Sequence, residues 1–272
     1  MKKIALLIVM VLFLTSCNNA QENKGVHTDD NSPKIEVVTS IIPLASIANY
    51  IGGDYVDTIS LIPAGVSPHG FDLKPNQMIE LEKSDLIISL GFDHIDGFLD
   101  KVIEGKNVLI ASDNITLMEG SDSHDHEYHE DEHHEDEDED HEDEGHEDDT
   151  HVWTSSVNAL IIAINITEKL TELSPENKTY FEGNYLKFEN ELTEIKQGFL
   201  DRTTTKTQKE FIVFHDAYNY FFDELSIDSQ KKLVFQTNVL SDPNSAEMKE
   251  LIDEIDIHGV NIAFKEPQFN DK

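Results

Sequence analysis

The stretch from Gly120 to Thr150 constrains this chain more than any other feature. It holds eighteen Asp and Glu, seven His and no Lys or Arg. Such a segment cannot bury enough apolar surface to offset the entropy of ordering it, so no core forms from it. It reads as a mobile loop inserted into a folded chain, and the rest must fold around it. The loop weighs heavily in the formal net charge of −35. Without it the remainder is acidic but ordinary for a soluble domain, with no basic face for nucleic acid. The 272 residues suffice for one large domain or two small ones.

One cysteine, Cys17, excludes an intrachain disulfide and any multi-cysteine metal site. Lys2 and Lys3 precede the apolar run Ile4–Leu14, which is too short to span a bilayer. The run ends in Leu14-Thr15-Ser16-Cys17, which looks like a bacterial lipobox. On that reading residues 1–16 are a signal peptide, and acyl chains on Cys17 anchor the protein to a membrane, outside the cytoplasm. The polar segment 17–33 is then a tether.

From Ile35 onward, strand-like and helix-like stretches alternate. Strands are expected at Ile35–Thr39, Val56–Ile62, Leu86–Leu90 and Val108–Ile110. Helices are expected at Leu44–Ile51, Asn76–Lys83 and Ile95–Ile103. After the loop, helical spacing runs from Thr154 to Leu173. Ser174-Pro175 then opens a helix over Glu176–Leu200, about 25 residues and near ~38 Å long. A second series follows: strand Phe211–Phe214, helix Tyr218–Leu225, strand Leu233–Phe235, helix Ser245–Ile255 and strand Val260–Phe264. The βα rhythm implies an α/β fold with parallel sheets. Two lobes, residues 34–173 and 208–272, are expected on either side of a linking helix at 174–201.

Three histidines lie at element ends, where side chains can reach a cleft beyond the strands. His69 follows the second strand in Ser67-Pro68-His69-Gly70. His215 directly follows the strand Phe211–Phe214. His151 precedes a helix. Imidazole suits Zn2+, Cu2+, Ni2+ and Fe2+, and three His with one more ligand form a tetrahedral zinc set. Each also has a plain reading: a turn residue beside Pro68, a strand end bonded to Asp216, or the tail of the acidic loop. Spacing alone does not decide between them.

The words Ser40-Ile41-Ile42-Pro43-Leu44, Pro68-His69-Gly70-Phe71-Asp72, His151-Val152-Trp153, Phe214-His215-Asp216-Ala217-Tyr218 and Glu266-Pro267-Gln268-Phe269 occur together. In order and spacing the chain resembles the metal-binding solute-binding proteins of ABC importers (cluster A-I), the zinc-uptake (ZnuA-like) and manganese-uptake lipoproteins. The resemblance runs from Ile35 to Lys272. It implies two α/β lobes joined by one rigid helix, with a metal cleft between them. It implies His69, His151 and His215 as metal ligands, and an ABC permease with its ATPase as partners of a monomeric receptor. Manganese-binding relatives typically place Glu where this chain has His215, which favours Zn2+ over Mn2+.

Two departures stand out. Relatives usually continue Leu-Ser-Pro after the His-Val-Trp word, and here Thr154-Ser155-Ser156 stands instead, still able to cap a helix. Relatives also continue past the Glu-Pro-Gln-Phe word with a strand and helix that often bring a fourth, acidic ligand. The sequence ends at Lys272 without them, so either the second lobe is truncated in this sequence or the fourth position is open to water, and an affinity lower than in a full-length relative is expected.

In the acidic tract His124, His126, His129, His133, His134, His141 and His146 form a second, looser set of metal ligands. Zinc-type relatives commonly carry such a loop. It is expected to gather zinc and feed the cleft, since it ends at His151; otherwise it is only a solvated insertion. Asp72 and Asp216 are expected to orient the ligand histidines. Trp153, Tyr218, Tyr220, Phe221 and Phe222 should pack around the cleft, and His94 and His258 should be surface or turn residues. The competing functions are a manganese or iron importer subunit, a zinc hydrolase, a metal buffer and an adhesin-like surface protein. The hydrolase lacks a His-Glu-x-x-His word, and no Gly-x-Ser-x-Gly or phosphate-cradling glycine loop occurs, so no enzyme is expected.

Overall fold

A buried parallel strand needs apolar side chains on both faces, and Leu86–Ser89 (β3) supplies them: all four of its residues are buried. In the computed structural model, which describes residues 33–120, 148–204, 210–235 and 244–264, β3 lies inside a four-stranded sheet of order β2-β1-β3-β4. Its partners are Ile35–Thr39 (β1), Val56–Ser60 (β2) and Val108–Ile110 (β4), all parallel. Along the edge strand β2, Val56, Thr58 and Ser60 are less exposed than Asp57 and Ile59, as one solvated side requires. A second parallel sheet, of order β6-β5-β7, is built from Phe211–Val213 (β5), Lys232–Val234 (β6) and Ala263–Phe264 (β7). The α/β class with parallel sheets is as expected.

The helices are Ile42–Gly52 (α1), Pro75–Lys83 (α2), Asp93–Asp96 (α3), Ser156–Leu173 (α4), Lys178–Thr203 (α5), Asn219–Glu224 (α6) and Ser245–His258 (α7). α1 starts with Pro43 in its first turn, where a missing N–H costs nothing. It stops where Gly53 takes φ 52°. A Cβ at Gly52 would strike Val56, and one at Gly53 would strike Tyr180 of α5. Those glycines therefore let α1 approach both β2 and the long helix. α5 has 26 residues, about 39 Å. Its first half packs on the first sheet's core: Phe181 is fully buried, and Asn184 Nδ2 donates to the Ile51 carbonyl at 2.9 Å, satisfying an open end of α1. Further along, Tyr185, Phe188 and Leu192 are only partly buried.

Several expected helices differ in their bounds. Pro175–Asn177 forms a 3-10 turn, so the α geometry of α5 begins at Lys178 and not at Glu176. Ile95–Ile103 is not one helix: α3 ends at Asp96, whose φ of −140° leaves the helical region, and a short 3-10 turn, Gly97–Leu99, follows. The cause is a competing job for the Asp96 side chain. Buried at 2 % exposure, it accepts hydrogen bonds from Ser89 Oγ and from the backbone N–H groups of Leu90, Gly91 and Phe92. α7 runs past Ile255 to His258, capped by an Asn244–Glu247 box and stopped by Gly259 at φ 60°. Val260–Phe264 contributes only Ala263–Phe264 as strand.

The first sheet packs α1, α4 and α5 on one face, around Ile51, Ile88, Ile162 and Phe181. Val38, Leu81, Ile87 and Leu99 form the core on its other face. The second sheet has an aromatic core of Phe211, Phe222, Tyr218 and Phe264. Glu224 of α6 joins the two regions. Its carboxylate accepts from Ser156 N at 2.7 Å and from Ser156 Oγ, at the N-terminus of α4, and pairs with Lys196 of α5 at 3.0 Å. Burial pushes its carboxyl up, but hydrogen bonds from Ser156, Lys196 and Ser155 outweigh burial and hold it below the usual 4.5. A depressed folded value means that this stabilisation is complete at neutral pH and fades as the pH falls below 4.5. Glu224→Gln should therefore lose about 2 kcal/mol at pH 7 in urea unfolding. The gap to the parent should narrow progressively as the pH falls below 4.5. A gap that stayed constant across that range would show the charge to be irrelevant. No described helix is long and apolar enough to cross a membrane.

Candidate metal centre

His69, His151 and His215 reach the centre from three different elements. His69 sits in the turn after β2, where its backbone N–H donates to Ser67 Oγ at 3.2 Å and Gly70 turns the chain at φ 73°. His151 precedes the 3-10 turn Val152–Thr154, after which Ser155 caps α4 by accepting from Val157 N and Asn158 N. His215 lies two residues past the end of β5. The structure brings these three together. One ring nitrogen from each lies within 4.8 Å of the others. The ring centroids are 5.9 Å apart for His69–His151, 5.5 Å for His69–His215 and 4.7 Å for His151–His215.

The protonation pattern follows from their neighbours. Asp149, with its side chain only 2 % exposed, accepts from His151 Nδ1 at 2.8 Å and from the His151 backbone N–H at 2.9 Å. Burial pushes the Asp149 carboxyl up, but hydrogen bonds from His151 and Asn219 reverse this and leave it below its ordinary value. An ionised carboxylate only accepts, so His151 Nδ1 carries a proton and Nε2 is the nitrogen turned toward the cluster. That Nε2 is buried without a hydrogen-bond partner, and so is Nε2 of His69. Buried polar atoms are rarely left unpaired, and two imidazole nitrogens left so in one cluster suit a cation. Burial, reinforced by the neighbouring His215, His151 and His94, lowers His69 to about 4; a backbone hydrogen bond at His94 acts weakly the other way. His69 is thus neutral at physiological pH, as a metal ligand must be.

Of the two carboxylates expected to orient the histidines, neither makes the hydrogen bond that Asp149 makes. Asp216 is buried but turns to Lys232, at 2.5 Å, and leaves Oδ2 without a partner. Asp72 is exposed. Asp149 was hidden in the sequence because it is one of eighteen acids in a tract that reads as loop. The tract's last three residues belong to the fold. Glu119 and Asp148 form an antiparallel bridge, and Asp149 N donates to Met118 O at 2.8 Å. Tyr220 of α6 clamps both strands of this neck, accepting from Met118 N at 3.0 Å and donating to Asp149 O at 2.7 Å. The only detectable hint to Asp149 was its place two residues before His151.

The Trp153 ring lies 5.4 Å from that of His151, tilted by 60°. Tyr218, Phe221 and Phe222 pack into the aromatic core of the second sheet. His94 is an exposed helical residue whose backbone touches His69, a role its sequence position did not suggest. His258 is a surface residue between Glu210 and Glu254, at 3.0 and 3.3 Å. Cys17, the loop histidines His124, His126, His129, His133, His134, His141 and His146, and the word Glu266–Phe269 lie outside the described residues.

Comparison with known proteins adds to this geometry. The family described as "Zinc-uptake complex component A periplasmic" matches residues 37–272. The "High-affinity zinc uptake system protein ZnuA" of Haemophilus influenzae is 33 % identical over 270 residues, covering 87 % of this chain and 79 % of that protein. The protein of the same name from Haemophilus ducreyi is 35 % identical over 257 residues, covering 91 % and 81 %. Among solved structures, "Crystal structure of ZnuA" superposes with a TM-score of 0.70 at 24 % identity, covering 87 % of this chain and 84 % of that one, a likeness of fold.

Proposed function

This chain belongs to the family of periplasmic zinc-uptake components, and we propose on that premise that it is the extracytoplasmic receptor of an ABC-type importer, binding Zn2+ as cargo through His69, His151 and His215 and passing it to the membrane permease and its ATPase. The observation that carries the reading is the pair of buried, partnerless Nε2 atoms beside His215. Nitrogens at most 4.8 Å apart place a central ion within about 2.8 Å of each. The zinc–nitrogen bond is about 2.0–2.1 Å, so binding needs an inward shift below about 1 Å. An all-imidazole set suits Zn2+, whereas Mn2+, Mg2+ and Ca2+ prefer oxygen. Three nitrogens leave one tetrahedral position for a further donor. The lipidated Cys17 would keep the receptor at the membrane beside its permease.

Titration of the chain lacking residues 1–17 should find one tight Zn2+ site that excess Mn2+ does not displace. Displacement by equimolar Mn2+ would favour the manganese reading instead. The acidic tract between Gly120 and Asp148 is proposed to gather zinc weakly through its seven histidines. Its deletion should leave the tight site within about twofold in affinity while slowing capture from nanomolar zinc, since multivalent weak sites raise local concentration. Equal capture rates with and without the tract, in stopped-flow mixing, would remove the feeding role.

A further inference from the structure

His151 and His215 come from segments 64 residues apart, attached to different sheets, yet their rings must meet one ion. A continuous hydrogen-bonded relay joins the two segments. It starts at His151 Nδ1, which donates to Asp149 Oδ1 at 2.8 Å. The other Asp149 oxygen accepts from Asn219 Nδ2 at 3.1 Å. Asn219 Oδ1 accepts from Lys232 Nζ at 2.5 Å, and Lys232 Nζ also donates to Asp216 Oδ1 at 2.5 Å. Asp216 is bonded in sequence to His215. The amide orientation of Asn219 is fixed by chemistry at both ends. An ammonium only donates and a carboxylate only accepts, so Oδ1 must face Lys232 and Nδ2 must face Asp149.

The relay is buried: the side chains of Lys232, Asp216 and Asp149 are 10 %, 5 % and 2 % exposed. A buried ammonium is costly unless it is paired, so Lys232 is held to the two acceptors it has. Those acceptors are in turn held to the two ligand segments. Asn219 is on α6 and Lys232 on β6, while Asp149 belongs to the neck beside the first sheet. The relay therefore forms only when the two segments stand in the register the structure shows.

We propose that Lys232, acting through Asn219 on Asp149 and directly on Asp216, is a positioning residue of the metal centre that holds His151 and His215 in register. This rests on the reading that the three histidines bind zinc. Groups that orient metal-bound histidines typically change metal affinity by about 10–100-fold when removed. The isosteric Lys232→Met removes the donor, and Asn219→Leu cuts the relay at its middle. Each should weaken Zn2+ binding about 10–100-fold, mainly through faster release to a chelator. Each should also change the visible absorption of the Co2+-substituted protein, which reports ligand geometry. The double variant should lose little more than either single variant, because the residues act as one unit.

Asn219→Asp supplies a second test should Lys232→Met fold poorly. It keeps an acceptor for Lys232 but sets a carboxylate against Asp149, and should release zinc faster. Wild-type affinity, release rate and Co2+ spectrum in a folded Lys232→Met or Asn219→Asp protein would overturn the proposal. So would a lowered melting temperature of the metal-free protein with the zinc and cobalt readouts unmoved, which would make the relay structural only. The parent protein separates this failure from that of the underlying reading. If the parent itself shows no tight zinc site sensitive to His215→Ala, the metal reading fails. If that site is present and the relay variants match it, only this inference fails.

Discussion

His215→Ala is expected to weaken zinc binding by about two to three orders of magnitude. Apparent binding free energies of zinc sites near pH 7 run to about 10–16 kcal/mol, shared among four ligands. One ligand is then worth roughly 2.5–4 kcal/mol, and each 1.4 kcal/mol is about tenfold. The loss should be read by competition with a chelator of known affinity, in the protein with the acidic tract removed so that its weak sites do not obscure the result. The fold should survive the change. His215 lies two residues past the end of β5, and the apolar contacts of that strand are made by Phe211, Val213 and Phe222. A loss below about tenfold would remove His215 from the ligand set. His215→Glu gives a complementary outcome: an oxygen donor should lower the preference for Zn2+ over Mn2+, because the harder ion favours carboxylate.

Much of the fold was readable from short runs. β1 and β4 fall on the residues expected because each is a short apolar run rich in β-branched residues that begins just after a polar one, and Gly52-Gly53 marks the end of α1. The failures have a common physical source, a side chain whose partner is distant in sequence. Asp96 looks like one more polar residue in the pattern Ile95–Ile103, and nothing local says that it folds back on Leu90–Phe92. Asp149 is invisible by composition because its neighbours are also acids. Asn219 and Lys232 sit in unremarkable helix and strand positions, and their significance exists only after the two sheets are docked. The three histidines could be nominated from their places at element ends, and the motif resemblance joined them. The groups that hold them could not be found in that way, since hydrogen-bonding partners need no fixed spacing or shared motif.

Asp96 also carries the second large effect. Its two oxygens accept from one hydroxyl and three backbone N–H groups, at 2.8 Å from Ser89 Oγ, 3.1 Å from Phe92 N and 3.2 Å from Gly91 N, with Leu90 N completing the set. Asp96 and Leu90 are buried, while the turn emerges at Gly91, which takes φ 82°. Asp96→Asn keeps the shape and replaces one oxygen by an NH2 that can only donate. At least one backbone N–H would then face another donor, and an unsatisfied buried group costs about 1–3 kcal/mol. With the weakening of the remaining bonds, the total should reach about 3 kcal/mol in urea unfolding of the metal-free protein. That corresponds to a melting temperature lower by roughly 6–12 °C for a chain of this size. The consequence for the site is separate and smaller. The turn held by Asp96 leads into α3, and the backbone at His94 meets the His69 ring. If that turn positions His69, zinc affinity should fall about tenfold, within the range seen when groups supporting a metal ligand are lost. A destabilised protein with unchanged zinc affinity would mean that His69 is held by its own Pro68-His69-Gly70 turn, and that Asp96 serves the fold alone.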